Sequence, residues 1–357
     1  MKYKIPLYKA EIKENEINAV KNYLLTEEKN RGREIKKLEN KLAEIHGVKH
    51  VLAVSSGTLA LFVLFQALKI TKGDQVYLPS YTWPSAANAA NLLGAQLHFI
   101  DVNPSSFCLE PEQLKIKPSS GKKFIISIHQ FGNIWKLDKL VQIAEENDAI
   151  LIEDSAWALG LEHGLKGKAG IFSFHPRKLL SAGEGGAIYT DDDSIYQHCK
   201  IFRNHGLNKA GKLVVPSLNA RMPEIQAVIL NKQLKKIDEV LAAKEKTALA
   251  YSKKLENNKQ IILPEKHNSR LWPTFNIILK QKKIGPIIKY MQNKGIEVRA
   301  SSVTTHLEPF YRKKFPSLSL PVSEHLAESS LSLPMYKGLS REELNLVCTN
   351  LQKAILL

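Results

Sequence analysis

Residues 51–68, VLAVSSGTLALFVLFQAL, decide the fold class because an apolar strand is followed at once by a helix. Residues 51–54 have the length and apolar character of a buried strand, and residues 59–68 continue as a helix. Between them stands Ser55-Ser56-Gly57-Thr58, whose hydroxyls can cap a helix and whose glycine permits a tight turn. The stretch is a strand–turn–helix unit of the kind that builds parallel sheets.

The same alternation continues toward the middle of the chain. Strands are predicted at 75–79, 96–102, 124–129 and 149–153, with helices at 85–93 and 136–147. Strands separated by helices of this length predict a mostly parallel sheet that helices sandwich from both faces. Ligands of such sheets bind at the carboxyl ends of the strands, so the informative side chains should follow strands directly.

The pattern changes after Gly170. Strands are predicted at 171–174 and 187–190 around a glycine-rich loop, followed by a helical stretch at 223–255 that is kinked near Asp238. Beyond it we expect a strand at 274–279, a helix at 284–294, an irregular loop at 300–321, and helices at 322–330 and 340–356. The sequence therefore predicts a large α/β domain over residues 1–245, with an N-terminal helical segment, and a smaller C-terminal α/β domain over 246–357.

Composition bounds the class of protein. The 357 residues include 51 basic and 35 acidic side chains, a formal net charge of +16. The lysines are scattered and no zinc-finger spacing, aromatic RNA-binding box or basic heptad accompanies them, so a solvated surface is favoured over nucleic-acid binding. No run of about 18 apolar residues predicts membrane insertion, and no secretory signal is seen, which favours the cytoplasm. Three separated cysteines predict neither disulfides nor a metal site.

Three motifs carry the chemistry. Gly57 and Thr58 open a helix that could attract an anion, Asp154 ends a strand, and Lys178 lies between an apolar strand and a glycine-rich loop. Each has an ordinary structural explanation: a helix cap for the first two and a solvent-reaching surface lysine for the third. Together they are the parts that a pyridoxal-phosphate (PLP) enzyme requires: a phosphate site, an acid for the ring nitrogen and an amine for the aldehyde.

With those motifs in place, the chain resembles the DegT/DnrJ/StrS-type family of sugar aminotransferases, which belong to the fold-type I group of PLP enzymes. The resemblance runs along essentially the whole chain. The blocks that carry it are SSGTLAL (55–61), PSYTWPSAANAANLLGA (79–95), EDSAWALG (153–160), FSFHPRK (172–178), GEGGA (183–187), RNHG (203–206) and NARMPEIQAVI (219–229).

The resemblance implies roles for the residues nearest the cofactor ring. Lys178 would be the catalytic residue, bound to the cofactor aldehyde as a Schiff base and later acting as the base in the proton shift. Asp154 would pair with the pyridinium nitrogen, and Trp83 would stack on the face of the ring.

It also implies a phosphate site and a dimer. Ser56, Gly57 and Thr58 would hold the cofactor phosphate, with a further hydroxyl from Ser173. Asn219 matches a position that reaches the phosphate from the neighbouring subunit, so the active site of a homodimer would be shared between its two chains.

Two departures from the family pattern concern the substrate. Trp157 stands where the family usually has glutamine or histidine near the ring oxygen of the cofactor, and an indole cannot accept a hydrogen bond. Thr26-Glu27-Glu28 replaces the usual Ser-Gly-Trp element, although Gly32 remains. His175 is interpreted as a packing residue in preference to a proton shuttle. His205 and His306 are candidates for lining the pocket.

The reaction implied is a transamination from an amino acid, expected to be glutamate, to a keto-deoxy sugar, expected to be linked to a nucleotide, for amino-sugar or surface-glycan synthesis. Relatives that remove a sugar hydroxyl are the nearest alternative, but the known dehydratases carry histidine in place of the Schiff-base lysine. A regulatory or nucleic-acid-binding protein on the same fold is the alternative from another class.

Overall fold

A seven-stranded sheet forms the centre of the larger part of the molecule. We describe a computed structural model, which covers residues 3–10, 12–26, 32–160, 165–266, 270–280 and 283–356. The strands are β1 His50–Val54, β2 Gln75–Pro79, β3 Gln96–Ile100, β4 Lys123–Ile128, β5 Ala149–Asp154, β6 Ala169–Ser173 and β7 Gly186–Thr190. Their order is β1-β7-β6-β5-β4-β2-β3, and only β7 is antiparallel to its neighbours. The predicted mostly parallel sheet is confirmed.

Helices pack on both faces of this sheet. They are α1 Glu14–Leu25, α2 Arg33–His46, α3 Gly57–Ala67, α4 Ser85–Leu92, α5 Leu137–Glu146, α6 Asp193–Arg203, α7 Glu224–Leu234 and α8 Ile237–Leu255. In β1, Leu52 and Val54 belong to one buried cluster and Val51 and Ala53 to another. Because successive side chains of a strand point to opposite faces, a strand buried on both faces has to be apolar throughout. This is why polar and apolar side chains do not alternate in residues 51–54.

A smaller antiparallel sheet follows. Its strands, β8 Ile261–Ile262, β9 Phe275–Leu279, β10 Arg299–Ala300 and β11 Ser330–Leu333, lie in the order β10-β11-β9-β8. Helices α9 Ile284–Asn293, α10 Pro309–Lys314, α11 Pro321–Ser329 and α12 Arg341–Leu356 accompany them. Residues late in α8, such as Tyr251, pack in the hydrophobic core of this sheet, whereas Val240 packs against the large one. Helix α8 thus connects the two cores, and a division at residues 245/246 remains our proposal.

The N-terminal residues also touch the smaller sheet. Ile5 bridges to Ile296 and is buried in the same core, and Met335 donates its backbone N–H to the Leu7 carbonyl at 2.9 Å. We call residues 5–10 the N-terminal strap. This pairing could not be predicted from the sequence, because its contacts join segments far apart in the chain.

The predicted helical stretch at 223–255 is broken between α7 and α8, at Lys235 and Lys236, close to the expected kink. The prediction of an irregular loop at 300–321 was wrong in part, because that segment contains a 3-10 turn at Thr305–Leu307 and helix α10. Strand β11 was missed, since its four residues follow α11 directly and acquire strand pairing only through β9 and β10. In the described residues, no helix is both long and apolar enough to cross a bilayer.

One glycine fixes how closely β7 approaches the turn after β1. A Cβ added to Gly186 would lie 2.5 Å from the backbone oxygen of Ser56 and 2.7 Å from the nitrogen of Gly57. Both atoms belong to the backbone, so they cannot turn away as a flexible side chain could. The turn that opens α3 therefore depends on a residue without a side chain at position 186.

We expect Gly186→Ala to lower the free energy of unfolding by roughly 1–3 kcal/mol, the usual cost of overpacking a closed site. Gly285→Ala is the matched control, because no heavy atom lies within 4 Å of a Cβ at that position. Urea denaturation of the two variants measures the difference. Equal stability of Gly186→Ala and the control would contradict the close approach.

Candidate active site

The carboxyl ends of β1, β5 and β6 meet at one edge of the large sheet and open into a cleft of about 410 Å³. The cleft gathers residues that are far apart in sequence. It is lined by the eight residues predicted to bind the cofactor within one chain: Ser56, Gly57, Thr58, Trp83, Asp154, Trp157, Ser173 and Lys178. The position follows the rule that parallel sheets bind ligands beyond the carboxyl ends of their strands.

The N-terminus of α3 forms one end of the cleft. Ser56 is the N-cap, and its hydroxyl accepts a hydrogen bond from the Leu59 N–H at 3.1 Å. The Thr58 hydroxyl lies 3.0 Å from that of Ser85. A Cβ on Gly57 would come within 2.9 Å of the Ser173 Cβ, so the glycine allows the helix to begin directly beside β6. The unpaired N–H groups of a first helical turn, together with these hydroxyls, suit a phosphate.

Asp154 ends β5 at the bottom of the cleft and is only 8% exposed. One carboxylate oxygen accepts the Ala156 N–H at 3.1 Å. Burial raises the pKa of this carboxyl, and the nearby Lys178 acts in the opposite direction. A buried carboxylate of this kind is stabilised most by a cation, and a protonated ring nitrogen would supply one.

Lys178 places its amine against an aromatic ring and near the Asp154 carboxylate. Its Nζ lies 3.4 Å from the centroid of the Trp157 ring. Burial lowers the pKa of Lys178 to about 7; the Asp154 carboxylate counteracts this effect and Arg177 adds to it. At neutral pH a large fraction of this amine is therefore uncharged, which is the form that attacks an aldehyde.

Trp157 is held by packing. Its ring meets that of Phe131 edge-on, with centroids 5.9 Å apart, and its face covers the Lys178 amine. A cation over the face of an indole is stabilised by the ring quadrupole. Where the family pattern has a hydrogen-bonding side chain, this chain has an aromatic contact to the lysine.

A buried polar network lies behind Asp154, and the sequence did not indicate it. His129 donates its backbone N–H to the Asp154 carbonyl, and its ring lies 3.1 Å from the Ser155 hydroxyl, which lies 2.6 Å from that of Tyr189. Glu153 accepts backbone N–H groups of the following loop, including that of Gly167 at 2.7 Å. Satisfied buried networks rigidify what they surround, so this one fixes the strand end that carries Asp154.

The three histidines differ in position. His175 lines the cleft and is half-buried, with its ring 3.9 Å from Glu184, and burial lowers its pKa. His306 is buried between the Ser80 hydroxyl, at 2.7 Å, and Glu324, at 3.2 Å, and does not line the cleft. His205 is exposed and lies outside it as well. The expectation that His205 and His306 line this cleft was wrong for their own chain, because His205 is exposed outside it and His306 is buried in another hydrogen-bonded site.

Asn219 lies on an exposed segment beside the turn after β1, where the Ser55 N–H donates to the Ala220 carbonyl at 3.0 Å. It does not line the cleft of its own chain. Its assignment to the neighbouring subunit stays a prediction. Of the altered substrate-side element, Glu27 and Glu28 lie outside the described residues.

A second, narrower chamber of about 60 Å³ adjoins the cleft. Its walls include the N-terminal strap and residues of the smaller sheet. The two cavities share Phe131, Trp157, Arg177, Lys178 and the segment 299–301. Sequence reasoning did not assign Arg177, Arg299 or the strap to the site. Arg177 follows the same strand as Lys178 and could have been found by the same rule, whereas Arg299 and the strap do not directly follow a strand of the large sheet.

Comparisons with known proteins agree with this geometry. Residues 10–352 match the model of the DegT/DnrJ/EryC1/StrS aminotransferase family. The chain belongs to that family. Its members are PLP-dependent sugar aminotransferases, so the predicted enzyme class, cofactor and fold-type I architecture are confirmed.

Solved structures give the same result. NtdA from Bacillus subtilis, with bound cofactor PMP, is 26% identical with a TM-score of 0.90, over 97% of this chain and 83% of that one. DesV from S. venezuelae, in complex with a ketimine intermediate, is 25% identical with a TM-score of 0.91, over 98% of each chain. The E. coli GDP-4-keto-6-deoxy-D-mannose-3-dehydratase, with hydrated PLP, shares the fold at 22% identity and a TM-score of 0.89, over 98% of this chain and 100% of that one.

The cleft fits the PLP of the family in its donor set. The first turn of α3 and the hydroxyls of Thr58 and Ser173 suit its phosphate, and the buried Asp154 suits its ring nitrogen. The same cleft contains the partly neutral amine of Lys178. In the described residues, no three His, Cys, Asp or Glu side chains gather to hold a metal ion.

In the protein without cofactor, we expect acetic anhydride to label Lys178 with a midpoint near pH 7, because burial destabilises the ammonium. Labelling at a series of pH values, followed by mass spectrometry of the peptide, measures it. The urea-unfolded chain is the control, and labelling of Lys178 in it should have its midpoint at about pH 10.4. Asp154→Asn should lower the folded midpoint further, since it removes a charge that stabilises the ammonium. A folded midpoint equal to the unfolded one would contradict the buried amine.

Proposed function

We propose that this enzyme transfers the amino group of glutamate to a keto-deoxy sugar linked to a nucleotide, with Lys178 as the catalytic residue. The observation that carries the proposal is the position of the Lys178 amine, against the Trp157 ring and near Asp154, in a cleft that also contains the phosphate-type turn Ser56-Gly57-Thr58. When bound, PLP supplies an aldehyde for the amine and a ring that accepts electrons.

Each side chain has a defined task in this proposal. Lys178 would hold the cofactor through its amine and, when free of it, would carry a proton to and from the substrate. Asp154 would keep the ring nitrogen protonated, because a buried carboxylate is stabilised by an adjacent cation. Ser56, Gly57, Thr58 and Ser173 bind the phosphate.

The two aromatic residues orient flat groups. Trp83 lines the cleft and leaves 61% of its surface exposed in the single chain, enough to stack on the cofactor ring. Trp157 covers the amine of Lys178 and keeps water from it. Their tasks differ, because only Trp157 contacts the lysine.

The proposed product is an amino sugar for a surface glycan, made in the cytoplasm. Three buried free thiols, Cys108, Cys199 and Cys348, fit a reducing compartment. Neither nucleic acid nor a membrane is a proposed partner. Sugar dehydration is the alternative reaction on this fold, but the lysine at position 178 favours transamination.

We expect Lys178→Ala to reduce amine transfer by on the order of 10²–10⁴-fold, the contribution of a positioned proton-transfer group, and more where the covalent link also matters. Borohydride should fix the cofactor to the wild-type chain and not to the variant, as intact-protein mass spectrometry would show. Lys72→Ala, at the amino end of β2 and far from the cleft, should behave as wild type. Full activity of Lys178→Ala would overturn the assignment.

The two reactions separate by stoichiometry. A transaminase places the nitrogen of one glutamate on each keto sugar consumed. Replacement of a sugar hydroxyl by hydrogen is a two-electron reduction, so a dehydratase that takes its electrons from the cofactor amine also uses glutamate but releases the nitrogen as ammonia. We expect equal amounts of 2-oxoglutarate and amino sugar, and no ammonia, when the enzyme is supplied with glutamate and a nucleotide-linked keto sugar. Ammonia and a deoxy keto sugar in place of the amino sugar would favour the dehydratase.

We further propose a homodimer in which Asn219 of each chain reaches the phosphate of the other site. Lys178→Ala and Asn219→Asp should each be inactive, the second because a carboxylate repels the phosphate. Refolded together in equal amounts, they should recover about a quarter of wild-type activity, since about half of the dimers are mixed and each has one intact site. No recovery in verified mixed dimers would contradict sharing.

A further inference from the structure

We propose that Arg177, together with Arg299, binds an anionic oxygen group of the substrate, a phosphate or a carboxylate, where the two cavities of the active site meet. The inference rests on the proposed function in one respect, that Lys178 is the reacting lysine. It adds a substrate-binding residue and the chemistry of the group that this residue recognises.

The position of Arg177 is the first observation. It precedes Lys178 directly in the chain and lines both the cleft and the narrower chamber. Arg299, in β10, also lines both. One guanidinium therefore comes from the turn after β6 and the other from the smaller sheet, and Arg177 is close enough to the Lys178 amine to affect its pKa. A group bound there would fix the substrate relative to Lys178.

The charge of the chamber is the second observation. Its described lining has six basic residues and no aspartate or glutamate; the basic ones are Lys9, Arg177, Lys178, Lys244, Arg299 and Lys337. A narrow chamber whose charged lining residues are all basic attracts anions.

Acidic side chains behind the walls compensate several of these charges. Lys337 pairs with Glu239 at 2.9 Å, and Arg299 pairs with Glu297 at 2.7 Å. These contacts fix the two cations in place but leave less of their charge for a ligand. Arg299 is accordingly the weaker partner in the proposed site.

Arg177 is different. In the described ranges, no carboxylate lies within 4.0 Å of its guanidinium, and the nearby Glu184 is turned toward His175. Its guanidinium carbon is 6.0 Å from the centroid of the Trp83 ring, a distance at which a cation–π contact is weak. A half-buried guanidinium without a carboxylate partner retains its donors for a ligand.

The chemistry of the guanidinium selects the ligand. Its planar donors match the paired oxygens of a phosphate or a carboxylate, and such charge-assisted pairs are stronger than neutral ones. Two substrate groups carry these oxygens: the phosphate of a sugar nucleotide and the carboxylates of the amino donor. The shared chemistry is what the site recognises, and experiment separates the two sources.

The test uses holoenzyme reduced with borohydride, in which the cofactor occupies its own phosphate site and Lys178 is fixed to it. Failure of the proposed function would appear at this step, as cofactor that is not fixed. Calorimetric titration with inorganic pyrophosphate and, separately, with glutarate then measures anion binding to wild type, Arg177→Gln, Arg177→Lys and the control Lys72→Gln.

We expect Arg177→Gln to weaken the binding of at least one of the two anions about tenfold or more, because a charge-assisted pair is lost. Arg177→Lys should bind with intermediate affinity, and Lys72→Gln as wild type. A loss confined to pyrophosphate assigns the site to the sugar nucleotide, and a loss confined to glutarate assigns it to the amino donor. If Arg177→Gln binds both anions as tightly as wild type, or Lys72→Gln loses as much affinity, the proposal is overturned.

Discussion

The active site depends on one buried amine. Lys178 lies beside Asp154 and beneath the face of Trp157, and its burial costs the ammonium its hydration. The loss of hydration lowers the pKa of the amine to about 7, and the Asp154 carboxylate opposes this shift. An exposed lysine would be protonated almost entirely at neutral pH and would react poorly with an aldehyde. The surrounding structure can therefore be understood as the means of keeping these two side chains together and partly dry.

The sheet supplies that means. Asp154 ends β5 and Ser173 ends β6, and the two strands are parallel neighbours, so their ends are held in register by backbone hydrogen bonds. Gly57 and Gly186 let α3 and β7 approach closely enough that the phosphate-type turn opens onto the same cleft. The smaller sheet and the N-terminal strap close the opposite side with basic residues. The rigid sheet holds the groups proposed for the cofactor, and the loop and smaller sheet beside it carry the two arginines proposed to bind the substrate.

Much of this was predictable, for physical reasons that differ by residue. The alternation of apolar strands and helices predicted the large sheet, because burial on both faces forces the pattern into the sequence. Ser56, Gly57, Thr58, Asp154, Ser173 and Lys178 could be found because each stands at or just beyond a strand end. Arg177 follows the same strand as Lys178 and could have been found in the same way. Arg299, the N-terminal strap and strand β11 could not, since their contacts join segments distant in sequence and leave no local pattern. The prediction for His306 failed because the presence of a histidine in the sequence does not indicate which cavity its side chain faces.

A crystal structure of the holoenzyme tests the central claim most directly. The account predicts continuous electron density from the Lys178 Nζ to the cofactor, with the ring nitrogen within hydrogen-bond distance of the Asp154 carboxylate and the phosphate against Gly57 and Thr58. A cofactor attached to another lysine, or a ring nitrogen directed away from Asp154, would contradict it.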